Sequence, residues 1–238
     1  MNGKRGVEHG AVRSSALSSS DSPQHAGFDR TWLFDLDNTL HNASAHIFPH
    51  ISRSMRDYMR QHLDLDEAEA TALRQHYWRR YGATLLGLIR HHDIDPRHFL
   101  HHTHQFHDLA GMVVVERGLK AMLRRLPGRK IIFSNAPLRY TQTILSVAGI
   151  DRCFDAVYSV ECIRFQPKPA TRGFLHVLRA EGLDPRACIM VEDTLPNLRT
   201  AKRLGMKTVW VASGLRKPPY ADVCIRTVLD LPHRLRQI

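Results

Sequence analysis

The stretch WLFDLDNTLHN, Trp32–Asn42, decides the fold of this 238-residue chain. A run of apolar, strand-forming residues ends there in two carboxylates, Asp35 and Asp37, which are two positions apart. Side chains at positions i and i+2 of a strand point to the same side, so the two acids are expected to share one face. A buried strand with this ending predicts that both carboxylates serve a site at its carboxyl end.

Five further apolar runs follow the first and alternate with helical patterns. Strands are expected at 31–36, 130–135, 154–160, 187–193, 207–212 and 222–225, and helices at 118–126, 138–149, 170–182 and 195–204. Strands that alternate with helices of this length indicate a parallel sheet with right-handed crossovers. We therefore expect an α/β fold.

Residues 41–110 interrupt this alternation. They carry no strand pattern and instead show helical patterns at roughly 44–62, 66–81, 82–92 and 95–108, and a connection of this length is too long for a loop. We expect three parts: a disordered tail at 1–28, rich in Ser, Gly and charge, a core formed by 29–40 and 111–238, and an inserted helical subdomain at 41–110.

Composition restricts the possible environments of the chain. At 43% hydrophobic residues it can bury a core, and its four cysteines form no CxxC pair, which favours reduced thiols in the cytoplasm. No apolar run reaches the roughly 20 residues of a membrane helix, and the N-terminus lacks the apolar segment of a signal peptide. We expect a cytoplasmic protein without a membrane partner.

The net charge of +11 is concentrated in the second half of the chain, where residues 111–238 hold 22 bases and 10 acids. A positive field raises the local concentration of anionic ligands, although a generally basic proteome would explain the same excess. The arginines are scattered without interleaved aromatics, and no nucleic-acid-binding signature is present, so no nucleic-acid partner is expected.

Polar side chains stand at or just after the carboxyl ends of four predicted strands. In an open α/β sheet the ligand crevice lies outside these ends, so the side chains should converge. Several carboxylates in one place stay ionised when a cation lies among them, and oxygen ligands favour Mg²⁺. Carboxylate, cation, lysine and hydroxyl together suit phosphoryl chemistry. The converging residues are Asp35, Asp37, Ser134, Lys168, Glu192 and Asp193.

Four segments in this order carry a family resemblance: DLDNT (35–39), IIFSNA (131–136), QPKPA (166–170) and VEDTLPNL (191–198). They resemble the motifs of the haloacid dehalogenase-like hydrolase superfamily. The resemblance implies a Rossmann-like core and catalysis through an aspartyl-phosphate. Asp35 would be the nucleophile, and Asp37 would protonate the leaving group and then activate water.

The resemblance also implies the remaining roles. Asp35, the main-chain carbonyl of Asp37 and Asp193 would hold Mg²⁺, and Ser134 and Lys168 would bind the phosphoryl oxygens. Glu192 and Asn197 would hold these groups in position without contacting the phosphoryl group. Direct ligation of Mg²⁺ by Glu192 stays open.

The insertion lies where this superfamily places its helical type-1 cap. Within it, HYWRRYGATLLGLIRHHDID (76–95) resembles the pyrimidine 5'-nucleotidase branch, which implies preference for UMP and CMP and substrate contacts from Asn135 and Tyr81. Helix packing would explain Tyr77, Trp78 and Tyr81 equally well. Gly82 is expected to let a substrate approach the main chain. The histidine-rich stretch 91–107 contains His98 and His102 at i, i+4, which we interpret as a solvated helix face.

Other functions stay open on the sequence. The chain could hydrolyse another small phosphorylated metabolite, such as phosphoglycolate or a sugar phosphate, and the expected partner is in either case a small phosphomonoester. A catalytically idle homologue that binds phosphate ligands is a second alternative, and a nucleic-acid-associated protein is a third. Asp37 favours hydrolysis over a persistent aspartyl-phosphate. The sequence does not determine the oligomeric state.

Overall fold

The computed structural model describes residues 12–13, 30–212 and 217–238. Its strands form one sheet in the order β1-β4-β3-β2-β5-β6-β7, with β2 to β7 parallel and β1 antiparallel to β4. The predicted parallel α/β core is therefore confirmed. The predicted tail, 1–28, lies outside the described residues apart from β1. The strands are β1 (Val12–Arg13), β2 (Thr31–Phe34), β3 (Arg129–Phe133), β4 (Ala156–Tyr158), β5 (Cys188–Glu192), β6 (Lys207–Val211) and β7 (Val223–Ile225).

The helices divide between the insertion and the sheet. Four of them, α1 to α4, lie within the insertion after β2, and α6 to α9 follow the alternation expected from the sequence. The helices are α1 (Ile47–Leu63), α2 (Glu67–Tyr81), α3 (Thr84–His92), α4 (Pro96–Thr103), α5 (Leu109–Met112), α6 (Leu119–Arg125), α7 (Leu138–Val147), α8 (Thr171–Glu181), α9 (Leu195–Arg203) and α10 (Leu231–Arg234). Among the described residues, none of the helices combines the length and the apolar character that a bilayer crossing requires.

Strand β2 lies at the centre of the sheet, between β3 and β5, and all of its residues are buried. Alternation sends Trp32 and Phe34 into one apolar layer with Ile144 of α7, and Leu33 into the opposite layer with Phe174 of α8. Apolar burial on both faces, at about 25 cal/mol per Å², holds the strand in register. The carboxyl end of the strand is the edge that remains for a ligand.

A third apolar cluster lies mostly in the cap, where it includes Tyr77 and Phe99, and it extends to Val160 of the core. Helix α2 begins at a capping box formed by Asp66 and Glu69 and ends at Gly82. Gly82 has a φ of +78°, and a Cβ there would lie 2.2 Å from Cδ of Pro169 in the core. The close approach expected at Gly82 is thus made by a proline of the core. The residue is glycine because the cap and the loop that carries Lys168 meet at this point.

Candidate active site

A turn after β2 places the two leading acids. The main-chain N–H of Asp35 donates to the carbonyl of Val191 (3.0 Å), which continues β2 alongside β5 by one residue. The N–H of Leu40 then donates to the carbonyl of Leu36 (2.9 Å) and closes the turn around Asp37. Both acids line a cavity of about 700 Å³ between the end of the sheet and the cap.

Lys168 is the centre of the polar cluster. Its Nζ donates to Oδ1 of Asp35 (2.7 Å), to Oε2 of Glu192 (2.8 Å) and to the carbonyl of Phe133 (2.7 Å), which uses all three of its protons. Burial alone would lower the pKa of the ammonium, but the Asp35 and Glu192 carboxylates raise it. Lys168 is therefore a fixed cation beside Asp35.

Glu192 accepts hydrogen bonds on both of its oxygens. Oε1 accepts from the main-chain N–H groups of Asp193 (3.1 Å) and Thr194 (3.0 Å), and Oε2 accepts from Lys168 and from Nδ2 of Asn197 (3.0 Å). Four donors on one carboxylate leave little capacity for a metal. This geometry favours the supporting role expected for Glu192 and Asn197, because together they hold Lys168 in place.

Three carboxylates form the group best suited to a cation. One oxygen each from Asp35, Glu192 and Asp193 lies within 4.8 Å of the others. Burial, reinforced by neighbouring carboxylates, raises the pKa of Asp35 and of Glu192 to about 7, and it raises the pKa of Asp193 as well. A hard divalent cation would keep the group ionised, so the donor set fits Mg²⁺. Because Glu192 already accepts four hydrogen bonds, Asp35 and Asp193 are the better ligands.

Asp37 is held by two residues that the sequence did not indicate. Its Oδ1 accepts from the hydroxyl of Tyr140 (2.6 Å) and from Nε2 of His41 (2.8 Å), the nitrogen that carries the proton in the tautomer suited to a carboxylate partner. Both donors are buried. No described residue bonds to Oδ2, and the Asp37 side chain is 16% exposed. One oxygen is thus fixed, and the other is free for proton transfer.

Tyr140 could not have been found from its sequence context. It lies on the first turn of α7, six residues after Ser134, and nothing in that pattern distinguishes it from a core residue. His41 lies four residues after Asp37 and is visible in the motif only as a histidine following Leu40.

Ser134 and Asn135 both line the cavity at the end of β3. The buried hydroxyl oxygen of Ser134 accepts from the N–H of Ala136 (3.0 Å), which leaves its O–H available to donate. The Asn135 carboxamide exchanges two bonds with the main chain of Lys168, at 2.9 Å to its carbonyl and 2.8 Å from its N–H. Asn135 therefore positions the lysine loop, and its expected contact with substrate stays a prediction.

The cap residues that line the cavity do not include the expected Tyr81. Tyr77 is buried in the cap with its hydroxyl 2.8 Å from Nε2 of His92. Tyr81 bonds to Nε2 of His91 (2.7 Å) and lies outside the lining of the cavity, so the structure does not bring it to the other site residues. Trp78, which is 58% exposed, lines the cavity instead, together with Arg74 of the same helix.

The histidine-rich stretch makes ring contacts on the cap. The ring centroids of His98 and His102 are 4.1 Å apart, and His62 of α1 lies beside them. The described residues contain one group of three or more potential ligands in close proximity, and it is the carboxylate cluster.

Comparison with known proteins gives the class of this chain. The model of the haloacid dehalogenase-like hydrolase family matches residues 30–205, and the chain belongs to this family. The HAD phosphatase from Thermococcus onnurineus has a similar fold, with a TM-score of 0.62 and 22% identity over 87% of this chain and 97% of that one.

Two curated relatives are similar in sequence. Phosphate metabolism protein 8 of Saccharomyces cerevisiae is 25% identical over 193 residues, which are 74% of this chain and 60% of that protein. N-acylneuraminate-9-phosphatase of Rattus norvegicus is 30% identical over 134 residues, which are 53% of this chain and 54% of that protein. The matched regions thus span little more than half the length of these relatives.

Proposed function

We propose that this chain is a Mg²⁺-dependent phosphomonoesterase that acts through an aspartyl-phosphate. The observation that carries the proposal is the arrangement of Lys168 and the two acids at the end of β2. Asp35 is held by a buried ammonium at 2.7 Å, while Asp37 has one oxygen anchored and the other free beside the same cavity. A nucleophile and a proton-transfer group are thereby placed on one loop.

In the first step the Asp35 carboxylate attacks phosphorus, and the bond from phosphorus to the leaving oxygen breaks. Asp37 gives its proton to that oxygen, so the leaving group departs as an alcohol. In the second step Asp37 takes a proton from water, which attacks phosphorus and releases inorganic phosphate and the free Asp35 carboxylate. Lys168 and the Ser134 hydroxyl stabilise the charge on the phosphoryl oxygens throughout.

A bound Mg²⁺ would be held by Asp35 and Asp193, with the main-chain carbonyl of Asp37, and it would neutralise charge on the phosphoryl group. The carboxylates fit this role because burial and mutual repulsion already oppose their ionisation.

Nucleoside 5'-monophosphates, with pyrimidines preferred, are the proposed substrates. The support is the resemblance of 76–95 to the pyrimidine 5'-nucleotidase branch and the exposed indole of Trp78 in the cavity. Stacking a base on an aromatic ring contributes roughly 1–3 kcal/mol and discriminates bases poorly, so the preference must come from pocket size and polar contacts. Another small phosphorylated metabolite is the alternative, which the named activity of the N-acylneuraminate-9-phosphatase relative favours. We propose a cytoplasmic location on the basis of four free cysteines.

A phosphate-release screen across phosphorylated metabolites tests the proposal. Turnover should require Mg²⁺, stop on exhaustive chelation and return when Mg²⁺ is added. Full activity in chelator would show that the carboxylate cluster is not a metal site. Comparison of kcat/KM for UMP, CMP, AMP and GMP decides the substrate preference, and equal or better values for the purines would remove the pyrimidine assignment.

A further inference from the structure

One cation of the cap lines the cavity without a partner among the residues that the structure describes. Arg74 lies on α2 and lines the cavity that also contains Asp35 and Lys168. Its Nε is buried, and no described residue accepts a hydrogen bond from it or forms an ion pair with its guanidinium. The main-chain carbonyl of Arg74 accepts from Thr84 (3.3 Å), but that bond engages the helix and not the side chain.

Nearby cations differ from Arg74 in this respect. Nε of Arg56 donates to Glu67 (2.9 Å), Nε of Arg79 donates to the carbonyl of Gln75 (3.3 Å), and Lys168 uses all three of its protons. Burial, with the charge of Arg56 added, lowers the pKa of Arg74. A partly buried guanidinium without an anion among the described residues is unfavourable, so the fold retains a charge that a ligand could neutralise.

The same helix supplies an apolar neighbour. Trp78 is four residues after Arg74, on the same side of α2, and also lines the cavity. Asp35, Ser134 and Lys168 line the core side of that cavity, so its two sides offer different chemistry. The core receives a phosphoryl group, and the cap offers a planar, charged fork beside an aromatic ring.

We propose that Arg74 binds a second anionic group on the substrate, a carboxylate on the leaving group. The inference rests on the proposed phosphatase activity and names the class of substrate, a phosphomonoester of an acid. A guanidinium matches a carboxylate through two parallel hydrogen bonds, which a neutral sugar or alcohol does not reproduce. Orotidine 5'-monophosphate is a pyrimidine nucleotide that carries such an acid, whereas UMP and CMP do not. The inference therefore favours the alternative of a small phosphorylated acid over UMP and CMP.

The test uses substrate pairs that differ by one carboxylate. One pair is 3-phosphoglycerate and glycerol 3-phosphate, and the other is orotidine and uridine 5'-monophosphate. In the parent chain the acid of at least one pair should have the higher kcat/KM. Arg74→Gln should reduce the acid-to-neutral ratio of that pair by roughly tenfold or more, and Arg74→Lys by less, because a lysine keeps the charge and loses the fork.

Arg60→Gln is the matched control. Arg60 is a cap arginine that pairs with Glu67 (3.4 Å) outside the cavity, so its removal changes the net charge equally and should leave the ratio unchanged. An equal loss for acid and neutral substrates in Arg74→Gln would overturn the inference, since Arg74 would then serve the phosphoryl group or the fold.

A binding measurement separates this inference from the proposed function. If no phosphomonoester is hydrolysed, including p-nitrophenyl phosphate, the proposed function fails. Calorimetric titration of 3-phosphoglycerate and glycerol 3-phosphate into the parent chain and Arg74→Gln then decides the inference alone. A preference for the acid that Arg74→Gln abolishes supports it, and the absence of any such preference overturns it.

Discussion

The two sides of the cavity are built on opposite principles. On the core side, Lys168, Glu192 and Asp37 each form at least two hydrogen bonds, with partners on β3, β5, α7 and α9 and on the connecting loops. On the cap side, Arg74 has no partner among the described residues, and Trp78 is 58% exposed.

This difference suits the two tasks of the proposed phosphatase. Chemistry on a phosphoryl group needs charges that are already oriented, because reorientation during the reaction would raise the barrier. Recognition of a leaving group needs groups whose partner is the ligand itself. In the proposed phosphatase the core would be common to the family, and the cap would select the substrate.

The largest expected effect comes from a substitution on the core side of the cavity. Asp35→Asn keeps the shape of the side chain and removes the attacking anion, so turnover should fall by roughly 10³-fold or more. Thermal melting should shift by only a few degrees, because the buried carboxylate is already disfavoured. Asp151→Asn, an exposed acid elsewhere in the core, should be neutral in both measurements. Activity within tenfold of the parent would remove Asp35 as nucleophile.

Tyr140→Phe removes one of the two hydrogen-bond donors to Asp37 and so tests how far the core side depends on them. Hydrogen bonds to charged groups contribute about 1.5–3 kcal/mol, so kcat should fall by roughly 10- to 100-fold while KM changes little. Tyr158→Phe is the matched control, since it removes a 2.6 Å bond to the Glu181 carboxylate outside the cavity. That control should lose stability and keep kcat. A similar kcat for Tyr140→Phe and the parent would mean that His41 alone orients Asp37.

Gly82→Ala tests the contact between the two sides. The new methyl would meet Pro169 at 2.2 Å, in a left-handed conformation that already costs about 1–2 kcal/mol for a side chain. Gly182→Ala shares the left-handed φ but has open space around its Cβ, so it carries the strain without the collision. Chemical denaturation should show a larger loss of unfolding free energy for Gly82→Ala than for Gly182→Ala. The kcat/KM of Gly82→Ala should also fall. Equal losses would show that Pro169 moves aside freely.

The smallest expected effect concerns His104, which lines the cavity from the cap and packs its ring on Tyr140. Burial lowers the pKa of His104 to about 4, against about 6.5 in an unfolded chain. The folded state therefore binds fewer protons, and this residue's stabilisation is lost as pH falls from about 6.5 towards 4.

Replacement of His104 should weaken that pH dependence. Unfolding free energies at pH 7 and pH 4.5 should differ by about 1–2 kcal/mol less in His104→Gln than in the parent. The exposed neighbour His101, changed to Gln, should leave the difference unaltered. An unchanged difference in His104→Gln would show that the cap opens and solvates the ring.

The sequence by itself determined the core and most of its site. Parallel strands end at the same edge of a sheet, so residues that follow four strands must converge, whatever the details of packing. That rule predicted that Asp35, Ser134, Lys168, Glu192 and Asp193 would converge, and all five line one cavity. Mg²⁺ binding and the role of each residue stay predictions.

Only the tertiary structure decided which cap residues line the cavity. Helical spacing showed that Tyr77 and Tyr81 share a face, and their rings do lie 5.9 Å apart. It could not show which face turns towards the core. Burial of Tyr77 in the cap rotates α2 so that Arg74 and Trp78 reach the cavity. The periodicity of a helix defines its faces, but the direction of each face depends on packing against residues far away in the chain.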